Sequence, residues 1–121
     1  MVIGLMAKVL IVDDEKALVE LIASVVEDLG HQALCAYDGS EALKLAQSEK
    51  PQIIFCDIMM PVMTGYELLD QVRQDNVLAT TPVVMMSAAK IDRIRAASAN
   101  GYMPKPFDLD KIADYINNLP H

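Results

Sequence analysis

"PQIIFCDIMMPVMTG", residues 51–65, decides how the rest of the chain is read. An apolar run, Ile53 to Cys56, ends abruptly on one acid, Asp57; methionines, Pro61 and Gly65 follow. A short apolar run bounded by turn residues reads as a buried strand. Strands of that kind belong to parallel sheets covered by helices on both faces. The question is why a buried strand delivers a single carboxylate to a turn.

Working outward, the same unit recurs. "AKVLIV" (7–12) is a second apolar run, followed by acids. From Glu15 onward Leu18, Leu21, Ile22, Val25 and Leu29 recur at helical spacing, and Gly30 supplies a C-terminal stop. "QALCAY" (32–37) reads as a strand. "DGSEALKLAQSEKP" reads as a short helix with Ser40 as N-cap, closing before Pro51. After "IIFCD", Thr64 and Glu67 have capping-box spacing, with Leu68, Leu69 and Val72 as the apolar face. "TPVVMMSA" (81–88) predicts a fourth strand, "IDRIRAASA" a short helical stretch, and "GYMPKPF" a brief fifth strand. Asp108 then caps a last helix that carries Leu109, Ile112, Ile116 and Leu119 on one side. Strand and helix alternate five times, which predicts an α/β fold: a five-stranded parallel sheet, doubly wound, with helices on both faces.

Composition bounds the function. The 121 residues suit one domain, 1–121, in which 1–6 reads as an N-terminal leader expected to be disordered. Met6 serves equally well as a start. "MVIGLMA" is too short and uncharged for a signal peptide, and no stretch approaches the roughly 18 apolar residues of a membrane span. A net charge of −7 and a pI near 4.6 argue against direct nucleic-acid binding, which wants a basic face. Cys35 and Cys56 sit in apolar runs without zinc-ligand spacing and read as buried thiols in a reducing cytosol. His31 and His121 read as solvated loop or terminal residues.

Ligands of doubly wound sheets bind beyond the carboxyl ends of the strands. There the chain places Asp13, Asp14 and Glu15 after the first strand, Asp57 on the third, Ser87 on the fourth and Lys105 after the fifth. If the first and third strands are neighbours, three carboxylates converge. At about 4 Å and an effective dielectric of about 20, each pair costs on the order of 4 kcal/mol. Protonation or a cation relieves this. A hard divalent ion with oxygen ligands suits the site, Lys105 adds a further charge, and magnesium in such a setting keeps some waters and binds a phosphoryl group. Each piece alone is weak, because an acid after a strand often only caps a helix. The joint pattern is specific.

Over residues 7–119 the chain resembles a receiver domain of two-component response regulators, of the single-domain chemotaxis-regulator type. "VLIVDDE" matches the acidic pair, "DIMMPVMTG" the phosphoacceptor motif, "MMSA" the hydroxyl followed by a small residue, and "KPF" the lysine with its Lys–Pro peptide. Tyr102 matches the aromatic switch position. The resemblance implies a flavodoxin-like strand order, 2-1-3-4-5. It implies that Asp57 accepts a phosphoryl group from a sensor histidine kinase or histidine phosphotransfer protein, or from a small molecule such as acetyl phosphate. Magnesium, with manganese as a substitute, would be held by Asp14, Asp57 and the backbone carbonyl of Met59, with Asp13 acting through water. Lys105 and Ser87 would bind the phosphoryl oxygens, and Ser87 with Tyr102 would form the switch. Output would be a protein–protein contact in the cytoplasm. The resemblance also implies a cis Lys105–Pro106 bond, and slow loss of phosphate because Met59 and Ala89 offer an attacking water no side-chain hydrogen bond.

One departure stands out. From Ser87 to Lys105 is 105 − 87 = 18 residues. Most receivers have roughly four more, about one turn at 3.6 residues per turn. A fourth helix shortened by about a turn, or a shortened loop before it, is therefore expected. Three other readings compete. A flavodoxin-like electron carrier wants a Ser/Thr/Gly-rich loop where "DDEK" stands. An aspartyl-phosphate phosphatase wants its nucleophile after the first strand and a second acid two residues on. A receiver-like module that takes no phosphate sits poorly with a complete set of key residues.

Overall fold

The computed structural model describes residues 6–119. Strands alternate with helices except between the fourth and fifth strands: β1 (Lys8–Val12), α1 (Lys16–Asp28), β2 (Gln32–Ala36), α2 (Gly39–Glu49), β3 (Ile53–Asp57), α3 (Gly65–Gln74), β4 (Val83–Ser87), β5 (Gly101–Pro104) and α4 (Asp110–Asn117). All pairings are parallel and the order is β2-β1-β3-β4-β5, as expected. Successive side chains of a strand face opposite sides of the sheet. Leu10, Val12, Ile54, Cys56 and Met85 therefore join Leu68, Leu69 and Val72 of α3 in one core layer. Val9, Ile11, Ile53, Phe55, Val84 and Met86 join Val19, Ile22 and Val26 of α1 and Ile112 and Ile116 of α4 in the other. Every residue of β3 and β4 is buried, which is why both strands read as unbroken apolar runs.

Several details correct the sequence reading. Of the five apolar residues read along α1, Ile22 is buried and Leu18 and Val25 pack against the core, but Leu21 and Leu29 are exposed, and Val19, Ala23 and Val26 complete the buried face. Apolar residues cover adjacent faces of this helix, and those with shorter or branched side chains are the ones fully covered. The N-cap of α2 is Asp38, not Ser40: its carboxylate accepts from Glu41 N at 2.8 Å, and Ser40 lies in the first turn. His31 is half-buried, and its Nδ1 accepts from Ala7 N at 2.9 Å, so it anchors the start of β1. Cys35 is half-buried where full burial was expected; Cys56 is fully buried, and both thiols are free. Asp108 acts over the first turn of α4, accepting from Asp110 N at 2.9 Å, although Leu109 is the N-cap.

The largest correction concerns residues 91–99. The expected helix is replaced by turns. One i+4 bond survives, in which Ala96 N donates to Asp92 O at 3.0 Å; Ala97 and Ala99 make only i+3 bonds. The Asp92 carboxylate also accepts from Ile94 N and Arg95 N, an alternative to helical pairing. A helix nucleus fixes several residues for one bond, so a stretch this short gains little by completing it. The Met1–Leu5 part of the leader lies outside the described residues, and Met6 is exposed. Among the described residues no helix is long and apolar enough to cross a membrane.

Candidate functional site

The carboxyl ends of β1, β3, β4 and β5 converge. Asp13 follows β1; its backbone N donates to Ala36 O at 3.2 Å, which fixes it against β2. Its Oδ1 accepts from Glu15 N at 2.9 Å and its Oδ2 from Lys105 Nζ at 2.6 Å. Asp13 is fully buried and Asp57, the last residue of β3, is 4% exposed; Asp14 is exposed. Carboxylate oxygens of Asp13, Asp14 and Asp57 lie within 4.8 Å of one another. Lys105 Nζ also reaches Asp57 Oδ1 at 3.3 Å. Ser87 ends β4, buried, and its Oγ accepts from Ala89 N at 3.1 Å. Lys105 N donates to Ser87 O at 2.7 Å, and the Lys105–Pro106 peptide is cis.

The loop after Asp57 is held just as closely. Ile58 N donates to Met86 O at 3.0 Å, and Gly65 N donates to Ile58 O at 2.9 Å. A Cβ on Gly65 would stand 2.8 Å from Ile58 Cα, so this approach of α3 to the strand requires glycine. Thr64 and Glu67 complete the capping box of α3. Between them and Asp57, Val62 has φ of 70°, a left-handed conformation that is strained for a β-branched residue. The Met59 side chain is exposed.

Charge explains what the site can hold. Burial raises the pKa of Asp57 above the usual carboxylate range; the charge of Asp13 adds to this and Lys105 opposes it. For Lys105 burial works downward, but the hydrogen bond and charge of Asp13, and then Asp57, outweigh it and raise the pKa. Three carboxylates and one ammonium leave a formal deficit of two positive charges. All the free donors are hard oxygens. That donor set fits a divalent cation of the magnesium class.

The family model for the response regulator receiver domain matches residues 9–117. The chain belongs to the response-regulator receiver family. It is 38% identical over 104 residues to the alkaline phosphatase synthesis transcriptional regulatory protein PhoP of Bacillus subtilis, covering 83% of this chain and 42% of PhoP. Chemotaxis protein CheY4 of Vibrio cholerae superposes with a TM-score of 0.86 at 32% identity, over 96% of this chain and 100% of that one. Response regulator TrrA of Thermotoga maritima, solved in complex with Mg(2+)-BeF, gives a TM-score of 0.85 at 26% identity, over 95% and 100%. The chain spans about half the length of the first curated relatives it matches, 42%, 52% and 54%.

The receiver's remaining marked residue, Tyr102, lies on β5, away from the carboxylates. Its hydroxyl donates to Ala96 O at 2.9 Å, and the Arg93 guanidinium carbon sits 4.3 Å from its ring centre. The sequence reading missed the residues that hold the turns beside it. Tyr66 OH accepts from Asp92 N at 2.7 Å, with Arg95 stacked 4.5 Å from its ring centre. Arg73 of α3 donates to Thr81 O at 2.7 Å, Ser98 O at 2.9 Å and Asn100 Oδ1 at 2.8 Å. No local pattern announces such contacts, which span 8 to 27 residues.

Proposed function

We propose that this receiver is a phosphorylation switch in which Asp57 accepts a phosphoryl group. The observation that carries the reading is a buried Asp57 carboxylate with Lys105 Nζ at 3.3 Å and two further carboxylates within 4.8 Å. An Asp57 oxygen attacks phosphorus. The bond from phosphorus to the donor breaks, and the leaving group departs with its electron pair. With a phosphohistidine donor, from a sensor histidine kinase or histidine phosphotransfer protein, the leaving group is an imidazole nitrogen. With acetyl phosphate it is acetate. Little covalent work falls to the protein, because phosphoryl transfer depends mainly on positioning and charge stabilisation.

Asp14, Asp57 and the backbone carbonyl of Met59 would hold Mg2+, or Mn2+ in its place, with Asp13 acting through a water; the ion supplies positive charge for the phosphoryl oxygens. Lys105, which spans Asp13 and Asp57 in this structure, pairs with a phosphoryl oxygen once the acceptor is modified. Ser87 Oγ accepts from Ala89 N and keeps its own proton to donate to another. Ser87 then moves towards the phosphoryl group, and Tyr102 turns inward. Loss of phosphate is slow, since Met59 and Ala89 cannot hydrogen-bond an attacking water through their side chains. The receiver works in the cytoplasm, and its own output is a contact with another protein surface.

The test is intact-mass spectrometry of the chain after incubation with acetyl phosphate and Mg2+. The wild-type chain gains one phosphoryl group on Asp57, and the D57N chain gains none. Equal labelling of D57N would overturn the assignment. Titration of metal into D14A, which should bind Mg2+ more weakly, checks the second role.

A further inference from the structure

Next to Lys105 lies a cavity of about 470 Å3 that the chemistry above does not use. Leu18 and Leu21 of α1 and Phe107 and Leu109 before α4 form its apolar walls. Ala88 and Pro106, the chain neighbours of Ser87 and Lys105, complete its lining, and Glu15 and Lys105 are its charged groups. Leu21 is 50% exposed. Neither it nor Leu18 belongs to the stripe of α1 that is fully buried against the sheet. Leu18, Phe107 and Leu109 pack against the core from the side and Leu21 is largely free, so the apolar wall of this cavity is only partly committed to the fold.

We propose that the cavity is a leaving-group pocket, and that the receiver takes acyl phosphates with a short, uncharged aliphatic chain in preference to acetyl phosphate. The proposal rests on Asp57 being the phosphoacceptor. Attacking and leaving oxygens stand roughly in line on opposite sides of the phosphorus. The acyl group must therefore be housed beyond the phosphoryl group, away from the carboxylates. Lys105 belongs to both places: it is 3.3 Å from Asp57 Oδ1 and it lines the cavity. A ligand anionic at one end and apolar at the other complements a pocket whose walls include Leu18 and Leu21 and whose boundary with the acceptor is Lys105. The volume lies in the range of small-molecule sites, roughly 300–1,000 Å3. Glu15 selects against a second carboxylate on the chain, as in succinyl phosphate. The step balances: an Asp57 oxygen bonds to phosphorus, the P–O bond to the acyl group breaks, and the carboxylate leaves with the bonding pair. No proton, oxidant or reductant is consumed.

The experiment compares labelling rates of the full chain with acetyl, butyryl, hexanoyl and succinyl phosphate in Mg2+, read by intact mass. The leaving carboxylates of the first three have nearly equal basicity, so intrinsic reactivity does not separate them. A fully buried methylene is worth about fourfold. With about half of each methylene covered, butyryl phosphate should react about fourfold and hexanoyl phosphate about fifteenfold faster than acetyl phosphate. Succinyl phosphate should fall below butyryl phosphate. In L21Q the hexanoyl-to-acetyl ratio should drop to within about twofold. Because the ratio is taken within one protein, a loss of folded fraction cancels. A second readout needs no turnover: with Mg2+ present, butylphosphonate, whose C–P bond is inert, should shift the methyl signals of Leu18 and Leu21, and methylphosphonate should not. If acetyl, butyryl and hexanoyl phosphate label Asp57 at one rate, or butylphosphonate leaves those methyl signals in place, the pocket proposal falls and the phosphoacceptor reading stands. If no acyl phosphate labels Asp57, the phosphoacceptor reading falls and takes the pocket with it.

Discussion

Without metal, Asp57 burdens the fold, and D57N should expose the size of that burden. Its carboxylate lies within 4.8 Å of those of Asp13 and Asp14. At that separation and an effective dielectric of about 20, buried Asp13 repels it by about 3.5 kcal/mol. Exposed Asp14, in surroundings nearer bulk water, adds about 1 kcal/mol. Lys105 at 3.3 Å attracts it by about 5 kcal/mol. The three Coulomb contributions nearly cancel, so desolvation of a carboxylate that is 4% exposed decides the sign. The raised pKa of Asp57, caused first by burial, points the same way. Asparagine keeps the shape and removes the charge, and it leaves Lys105 to pair with Asp13 alone.

We expect D57N to be more stable than the wild-type chain by about 1–2 kcal/mol at pH 7 in EDTA, a shift of about 0.5–1 M in the urea midpoint. The pH dependence has a definite sign. Asp57 has a raised folded pKa, so the folded wild-type chain binds more protons than the unfolded chain between the ordinary value of 3.8 and the raised one. Below that window Asp57 is protonated in both states and D57N gains nothing; above it the full penalty is present. The advantage should therefore vanish as pH falls through the window. Adding Mg2+ should narrow the gap at pH 7, because the ion binds the wild-type carboxylates better. A D57N midpoint equal to or below that of the wild type at pH 7 in EDTA, or a difference that does not change with pH, would refute the reasoning.

Three further outcomes follow from other parts of the molecule. R73M removes the donor to Thr81 O, Ser98 O and Asn100 Oδ1, and should destabilise by about 2–3 kcal/mol in urea unfolding while increasing hydrogen exchange between residues 98 and 100. V62N should stabilise by about 1 kcal/mol, seen as a higher melting temperature, because asparagine tolerates the φ of 70° that strains valine. Beryllofluoride with Mg2+ should change hydrogen exchange chiefly in residues 88–103, and a change confined to α1 would remove the standard switch from this reading.

Much of the fold was legible where burial and local chemistry agree. Ile53–Asp57 was read to the residue because both faces of β3 are buried and the run stops where the sheet does. The Thr64–Glu67 cap was legible because its partners are three residues apart. The convergence of Asp13, Asp57 and Lys105 depended on strand order, which the alternation of elements left open and the family resemblance supplied; β1 and β3 are neighbours and β5 pairs with β4. The misreadings arose where two local solutions compete. On α1 apolar residues lie on adjacent faces, and only packing against the sheet decides which are fully buried and leaves Leu21 and Leu29 exposed. Before α2, Asp38 and Ser40 are both good caps, and backbone geometry selects Asp38, whose extended φ and ψ aim its carboxylate at Glu41 N. The site's supporting contacts were invisible for a different reason: Arg73 and Tyr66 act on groups remote in sequence.

The turns at 91–99 tie these points together. A helix satisfies its own backbone groups; turns leave more of them to be met from elsewhere. Here side chains of neighbouring elements meet them: Tyr66 accepts from Asp92 N, Tyr102 donates to Ala96 O, and Arg73 donates to Ser98 O. Buried Ile91 and Ala96 add apolar anchorage to the same layer as α3. Tyr102 is thus both the residue at the aromatic switch position and one of the supports of the segment beside it. If it turns inward when Ser87 moves, it must give up Ala96 O and the stacked Arg93 in the same motion. A full helix here would keep its own backbone hydrogen bonds whichever way the ring turned. On the switch proposed above, the hydroxyl and ring of Tyr102 would couple its own rotation to this segment, so the state of Asp57 would reach residues 92–96 through loss of specific supports rather than through movement of a rigid helix.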